Sequence, residues 1–92
     1  MIQSKTAAND FDGAMSAVSE LIRTVSEKAR TKVITPGTLL LEDLALDSLD
    51  MVRVVMLIED RYGVSLDLDV VAEMKSVDDV ARSLVQQSRS AA

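Results

Sequence analysis

The apolar residues near the start of the chain repeat at the spacing of an α-helix. They lie three or four positions apart and so share one face, with charged residues on the others. This stripe comprises Phe11, Met15, Val18, Ile22, Val25 and Ala29. Asp10 or Asp12 could cap the start of the helix. The pattern predicts a first helix from about Asp12 to about Arg30.

The segment 31–47 breaks this periodicity. Pro36-Gly37 is a strong turn signal. Leucines at 39, 40, 41, 44 and 46 make the segment too apolar for a free linker. The sequence therefore predicts a long loop attached to the core by its leucines, with room for a short helical turn within 39–44. Loops of this length are usually functional or disordered, and the leucines argue against disorder.

A second helix is predicted from Ser48 to about Tyr62, with Asp47 as its N-cap and Gly63 as its C-terminal stop. Its apolar residues form two faces: Met51, Val55, Ile58 and Tyr62 on one, and Leu49, Val52 and Met56 on the other. A small domain cannot readily bury one helix on every side. The first face is therefore predicted to join the core and the second to meet a partner.

Two further helices are predicted in the last third of the chain. Leu66, Val70 and Met74 lie four positions apart and indicate a short helix within 66–74. Ser76 and Asp79 have the spacing of a capping box and mark the start of the last helix. Its predicted buried face comprises Val77, Val80, Ala81, Leu84 and Val85.

The fold predicted by these patterns is all-α, a bundle of three longer helices and one short helix with a long loop between the first and second. A chain of 92 residues is long enough for one domain with a single core. We expect a flexible leader at 1–9, the folded domain at 10–87 and a flexible tail at 88–92.

The composition excludes several kinds of reactive and metal-binding site, because the chain contains no cysteine and no histidine. Thiolate nucleophiles, disulfides and thiolate metal sites are thereby excluded, as is the side chain most often used for acid–base catalysis near neutral pH. An enzyme is the least favoured class, and we predict neither catalytic residues nor a metal site. Catalysis by carboxylates alone stays open, but the composition favours a reactive group supplied from outside the polypeptide.

The charge is concentrated in the middle of the chain. The net charge is -5, and residues 33–81 hold eleven acidic but only three basic side chains. This field would repel nucleic acid and could steer a basic protein surface towards the chain, although an ordinary solubilising surface is an equal alternative. With neither a signal sequence nor a membrane span in the pattern, a cytoplasmic monomer is expected.

Ser48 is the residue with the clearest chemical potential. It lies in the first turn of the second helix, where backbone N–H groups are free and the helix dipole favours an anion. A phosphodiester on its hydroxyl would lie against those donors. Taken alone, however, the Asp47-Ser48 pair favours the plainer interpretation of a helix start.

The sequence around Ser48 favours a modified serine over a plain helix start. Residues 42–62 contain Asp-Ser-Leu at 47–49 and Glu-Asp before an aromatic residue at 59–62, and Ser-Val-Asp-Asp begins the last helix at 76–79. Over Val18 to Leu84 the chain resembles the acyl carrier protein family. The resemblance implies that a phosphopantetheinyl transferase, using coenzyme A and magnesium, attaches 4′-phosphopantetheine to Ser48. The thiol of that arm would hold acyl groups as thioesters, and the interior between the helices would shelter them.

The resemblance also implies a partner surface on the second helix. Its acidic members would meet basic residues of acyltransferase, ketosynthase or acyl-ligase type enzymes, and its apolar members would make the close contact. The acidic set is Asp47, Asp50, Glu59 and Asp60, and the apolar set is Leu49, Val52 and Met56.

Some positions depart from the family pattern. Ala45 replaces the usual glycine, so we expect the loop to avoid positive φ there. Arg53 and Arg61 dilute the acidic helix, and the leader is long for a carrier. These features favour a specialised carrier, of a polyketide or related pathway, over a general fatty-acid carrier. The alternatives are an aminoacyl or peptidyl carrier and, in another class, an interaction module that is never modified.

Overall fold

Four α-helices and one 3-10 helix make up the fold in the computed structural model, which describes residues 10–91 and the side chains of residues 10–88. The helices are α1 (Phe11–Val25), the 3-10 helix (Lys28–Thr31), α2 (Ser48–Tyr62), α3 (Leu68–Ala72) and α4 (Val77–Ala91). The predicted all-α bundle of three longer helices and one short helix is confirmed. The predicted leader at 1–9 lies outside the described residues, as does Ala92 of the predicted tail. The division into leader, domain and tail stays a prediction.

Helix α1 begins as expected but ends early. Of the two candidate caps it is Asp10 that acts, because its carboxylate accepts the N–H of Gly13 at 2.6 Å. The helix ends at Val25, where Ser26 adopts an extended backbone, so the predicted continuation to Arg30 is wrong. The Arg30 side chain donates to the carbonyl of Arg23 at 3.0 Å and satisfies an acceptor that a longer helix would have used.

The core is aliphatic and lies where α1 packs against α2 and α4. Val18 and Ile22 of α1 are fully buried there, as is Ile58 of α2. The predicted face of α4 is confirmed, with Val85 half-buried and the other four residues buried. Within the described part of the chain, no helix combines the length and apolar character needed to cross a membrane.

Three of the five loop leucines anchor the loop between α1 and α2. Leu40, Leu44 and Leu46 are buried, Leu39 is half-buried, and Leu41 is 64% exposed. The expected helical turn is present, because the N–H groups of residues 43, 44 and 45 donate to carbonyls at 39 and 41. The loop is thus a folded part of the domain, although Leu41 does not contribute to its core.

The same loop is joined to the residues that precede α4. The N–H of Leu40 donates to the carbonyl of Lys75 at 2.9 Å, and the N–H of Val77 donates to the carbonyl of Thr38 at 2.9 Å. These bonds flank a short antiparallel bridge between residues 39 and 76. The loop leading to Ser48 is therefore held by main-chain bonds as well as by buried side chains.

Ala45 has a left-handed backbone, with φ of 54°, so the expectation that the loop avoids positive φ is wrong. Ala45 ends the helical turn that precedes it, and its N–H donates to the carbonyl of Leu41 at 3.0 Å. Helical turns often end on a left-handed residue, and glycine is favoured there because it has no Cβ. An alanine in this conformation costs about 1–2 kcal/mol.

Replacing Ala45 by glycine should therefore stabilise the domain. We expect the free energy of unfolding to rise by about 1 kcal/mol, less than the full strain because glycine also gains freedom in the unfolded chain. Chemical denaturation measures the change. Ala17→Gly, inside α1, is the matched control and should destabilise by about 0.5–1 kcal/mol. Equal effects of the two substitutions would contradict the strain at Ala45.

Helix α3 is shorter than predicted. It spans Leu68–Ala72, and it turns Val71 into the core while Val70 is 47% exposed. The predicted stripe through Val70 is therefore wrong. Leu66 lies before the helix in a non-helical connection, so its spacing of four from Val70 does not place the two residues on one helical face.

Helix α4 begins with the predicted capping box. The N–H of Asp79 donates to the Ser76 hydroxyl at 3.3 Å, and the N–H of Ser76 donates to the Asp79 carboxylate at 3.2 Å. That carboxylate also accepts the N–H of Lys75 at 2.9 Å. These hydrogen bonds favour the charged carboxylate and so lower the pKa of Asp79, and the bond from the Lys75 N–H is the largest cause.

Candidate functional site

Ser48 is the first residue of α2, and its neighbour Asp47 performs the capping. The Asp47 carboxylate accepts the N–H of Asp50 at 2.9 Å, and the Asp50 carboxylate accepts the N–H of Asp47 at 3.3 Å. The helix then runs to Tyr62 and ends on Gly63, whose φ is 65°. The predicted bounds and both end signals of α2 are confirmed. This reciprocal cap fixes the backbone that carries Ser48.

The Ser48 side chain is left free by this arrangement. A serine at the start of a helix commonly serves as its cap, but here Asp47 has that role. Ser48 is exposed, and its hydroxyl has no hydrogen-bond partner among the described residues. The hydroxyl is therefore accessible to a modifying enzyme, and its removal breaks no hydrogen bond among the described residues.

A cleft of about 750 Å³ opens beside Ser48. One wall is formed by α2 and the loop before it, and the other by α3 and the connection to α4. The lining residues are Leu40, Leu41, Glu42, Leu46, Asp47, Ser48, Met51, Val52, Leu68, Val71, Ala72, Met74 and Lys75. Most of these side chains are apolar, so the cleft suits an apolar chain that starts at Ser48.

The outer face of α2 is exposed and apolar at its centre. Leu49, Val52 and Met56 are 59%, 40% and 60% exposed. On the opposite face Ile58 is buried, as are residues 54 and 55, whereas Met51 and Tyr62 are half-buried. The predicted core face is confirmed, with the addition of Val54, and the second face is exposed; that it meets a partner stays a prediction.

The acidic residues of α2 differ in whether their carboxylates form hydrogen bonds within the fold. Asp60 is exposed, whereas Asp47 and Asp50 are engaged in the cap. A carboxylate oxygen of Glu59 accepts the N–H of Leu66 at 2.9 Å and so fixes the connection to α3. Glu59 therefore has a structural role that the sequence does not indicate.

The two arginines of α2 differ in where their charges lie. Arg61 lies 3.5 Å from the carboxylate of Glu20 on α1, so its charge is directed away from the outer face. Arg53 is exposed and lies two helical turns before Asp60 on that same face. Arg53 is thus the cation that dilutes the acidic surface beside the apolar patch.

Several cleft residues were not predicted as part of the site. Leu41 and Leu68 line the cleft and are largely exposed, and Lys75 lines it from the connection between α3 and α4. These residues are distant in sequence from Ser48, and only the fold brings them to it. One signal was present: Lys75 is the single basic residue between Tyr62 and Ala81.

The residues present fit a 4′-phosphopantetheine group. An attachment point needs a hydroxyl that is accessible and not used by the fold, and Ser48 meets both conditions. Its position in the first turn of α2 also places backbone N–H groups and the positive end of the helix dipole near a phosphodiester. When bound, such a group supplies the thiol that the polypeptide lacks.

Comparison with known proteins gives a consistent result. A family model described as "Phosphopantetheine attachment site" matches residues 16–84. The chain is 34% identical over 70 residues to the acyl carrier proteins of Rickettsia massiliae, Rickettsia africae and Rickettsia felis. These alignments cover 74% of the chain and 81% of each relative. Ser48 and both walls of the cleft lie inside the region that the family model matches.

Proposed function

We infer the function of this chain from the premise that it belongs to the acyl carrier protein family, whose members carry acyl groups on a covalent 4′-phosphopantetheine arm. The chain is accordingly a carrier and not a catalyst, and its partners are enzymes that handle acyl groups. The alternative of an unmodified interaction module is set aside by this membership. A carrier of this family needs a residue that holds the arm and a surface that its partner enzymes recognise.

We propose that Ser48 is the attachment residue. The observation that carries the proposal is its free, exposed hydroxyl at the start of a helix that Asp47 already caps. A transferase would form the bond between this oxygen and the pantetheine-side phosphorus of the coenzyme A pyrophosphate, breaking the pyrophosphate bond so that adenosine 3′,5′-bisphosphate leaves and the hydroxyl proton is released. The backbone N–H groups of the first turn would stabilise the resulting phosphodiester.

The direct test is the mass of the intact protein after incubation with coenzyme A, magnesium and a phosphopantetheinyl transferase. We expect one phosphopantetheine to be added per chain, and peptide mapping to locate it on Ser48. Addition at another serine would contradict the assignment. The absence of any addition with several different transferases would contradict the proposed function itself.

The cleft supports a second role for the same end of the molecule. Ser48 is one of its lining residues, and most of the others are apolar side chains of α2, α3 and the loop before α2. An acyl chain on the arm would bury apolar surface by entering it, which stabilises the enclosed state by about 25 cal/mol per Å² buried. We propose that the cleft shelters the acyl group between partners.

The outer face of α2 is the proposed docking surface for those partners. Leu49, Val52 and Met56 form its exposed apolar centre, and the acidic rim comprises Asp47, Asp50, Glu59 and Asp60. Aligned with a basic partner, the rim would speed encounter, whereas the apolar centre would supply most of the binding energy. The partners proposed are the transferase and acyltransferase, ketosynthase or acyl-ligase type enzymes.

Met56→Glu tests the docking surface. We expect the helical circular dichroism and the thermal midpoint to change little, because Met56 is 60% exposed. The rate of modification by the transferase should fall about tenfold or more, since a charge replaces an apolar contact at the centre of the interface. Met56→Leu is the matched control and should keep most of the rate. A large loss of stability in Met56→Glu would instead assign Met56 to the core.

The proposed pathway is that of a specialised carrier, of polyketide or related biosynthesis. Arg53 supports this, because it places a cation on the outer face of α2 where general fatty-acid carriers are usually acidic. The second candidate is an aminoacyl or peptidyl carrier, and the acidic rim of α2 disfavours it. An assay of which activated acids are loaded onto the modified protein separates the two.

A further inference from the structure

Lys75 places a positive charge at the cleft beside Ser48. It lines the cleft from the connection between α3 and α4. The other charged residues of the lining are Glu42 and Asp47, which are both acidic. Lys75 is therefore the only cation among the residues that line this cleft.

The backbone of Lys75 is fixed from two sides. Its N–H donates to the carboxylate of Asp79 at 2.9 Å, and its carbonyl accepts the N–H of Leu40 at 2.9 Å. Leu40 belongs to the loop that leads to Ser48, so the root of the lysine side chain and the proposed attachment point are held in one framework. Only the four-carbon stem and its ammonium group are free to move.

No carboxylate lies within ion-pair distance of the Lys75 ammonium among residues 10–88, whose side chains the structure describes. The two ion pairs found there are Arg61 with Glu20 and Arg82 with Asp78. Residues 33–81 hold eleven acidic side chains, yet none of them forms an ion pair with this lysine. A cation without an ion-pair partner at the edge of an apolar cleft is a favourable place for an anion from outside the polypeptide.

We propose that Lys75 binds an anionic group of the tethered cargo, either the phosphodiester of the arm or a carboxylate at the far end of the acyl chain. This inference rests on the proposed attachment at Ser48. Both groups present anionic oxygen to an ammonium donor. Both would enter the cleft from the Ser48 side, and the apolar lining would strengthen the attraction by excluding water. Where the anion is the carboxylate, Lys75 is a specificity residue that favours a cargo ending in carboxylate over one ending in methyl; where it is the phosphodiester, Lys75 positions the arm for every cargo.

The test compares four forms of the full chain: without the arm, with the arm, and with the arm loaded with hexanoyl or adipoyl groups. The two acyl groups have equal carbon number, but adipoyl ends in a carboxylate. Protein labelled at lysine reports the ε-methylene NMR signal of Lys75, which is assigned by its loss in Lys75→Met. Lys28 lies outside the cleft and serves as the internal control.

The pattern of shifts identifies the anion. A Lys75 shift on addition of the unloaded arm indicates the phosphodiester, whereas a shift that appears only with adipoyl indicates the carboxylate. Either result supports the proposal, provided that the Lys28 signal is unchanged. The shift should diminish at 1 M salt, where the Debye length is about 3 Å.

A kinetic readout tests the preference for a carboxylate. Should the carboxylate be the anion, hydroxylamine should cleave the adipoyl thioester about two- to fivefold faster in Lys75→Met than in the wild type, as expected for loss of one exposed ion pair. The hexanoyl thioester should be cleaved equally in both. Lys75→Arg should restore the slow rate, and Lys28→Met should not alter it.

Two results overturn the proposal. One is a Lys75 signal that responds neither to the unloaded arm nor to either of its acyl-loaded forms. The other is an equal response to hexanoyl and adipoyl with none to the unloaded arm, which reflects apolar packing. Both require protein whose mass shows the arm in place, so they leave attachment at Ser48 intact. Failure to attach the arm is a separate outcome and refutes the proposed function.

Discussion

Ser48→Ala will fold as the wild type does and will accept no phosphopantetheine. The hydroxyl is the proposed nucleophile, and no other group at the start of α2 can form the phosphodiester. The substitution removes one exposed oxygen that has no hydrogen-bond partner among the described residues. A surface change of this kind alters the free energy of unfolding by less than about 0.5 kcal/mol. Intact mass after treatment with coenzyme A and a transferase measures attachment, and circular dichroism measures the fold.

Ser65→Ala is the matched control for this experiment. Ser65 is also exposed, but it lies between α2 and α3 and does not line the cleft. The control should be modified completely. Modification of Ser48→Ala would refute the assignment of the attachment site, and unfolding of this variant would give Ser48 a structural role.

The second large effect is expected at Leu44, in the middle of the long loop. Its side chain is fully buried, and truncating a buried leucine costs about 2–5 kcal/mol because a cavity remains. Leu44→Ala should therefore lower the thermal midpoint by about 10 °C or more, since about 4–8 °C is lost per kcal/mol in a domain of this size. Thermal unfolding followed by circular dichroism gives the value.

Leu41→Ala provides the comparison within the same loop. Leu41 is 64% exposed and lies three positions before Leu44, so its truncation should change stability by less than about 0.5 kcal/mol. Similar losses in the two variants would mean that the loop is not attached to the core by the leucines assigned here. A selective loss at Leu44 would show that the segment before Ser48 folds as part of the bundle.

Helix α2 could be predicted to the residue because both of its ends have local causes. Asp47 caps one end and Gly63 closes the other, and both are short-range features of the chain. The end of α1 could not be predicted in the same way. Its apolar stripe continues to Ala29, which is buried from the 3-10 helix and not from a longer α1. Periodicity indicates which residues are buried, but not whether the helix between them is continuous.

The loop and the cleft show where sequence reasoning stops. The backbone of Ala45 depends on the turn before it, and main-chain bonds to the start of α4 hold that loop in place. Those bonds join residues more than thirty positions apart, so no local rule favours a left-handed alanine. The sequence does not indicate a role for Lys75 for the same reason, because that role depends on which residues line the cleft with it.

The bridge between residues 39 and 76 joins the two walls of the cleft where the loop meets the connection to α4. The loop and this connection are held there by main-chain bonds, and the loop also by buried leucines. The rest of the second wall is α3, a helix of five residues of which only Val71 is buried. A guest too large for the space would therefore push this short helix outward while Ser48 keeps its position. Helix α3 thus sets the range of acyl groups that the cleft accepts. The bonded loop keeps Ser48 in one position for every partner enzyme.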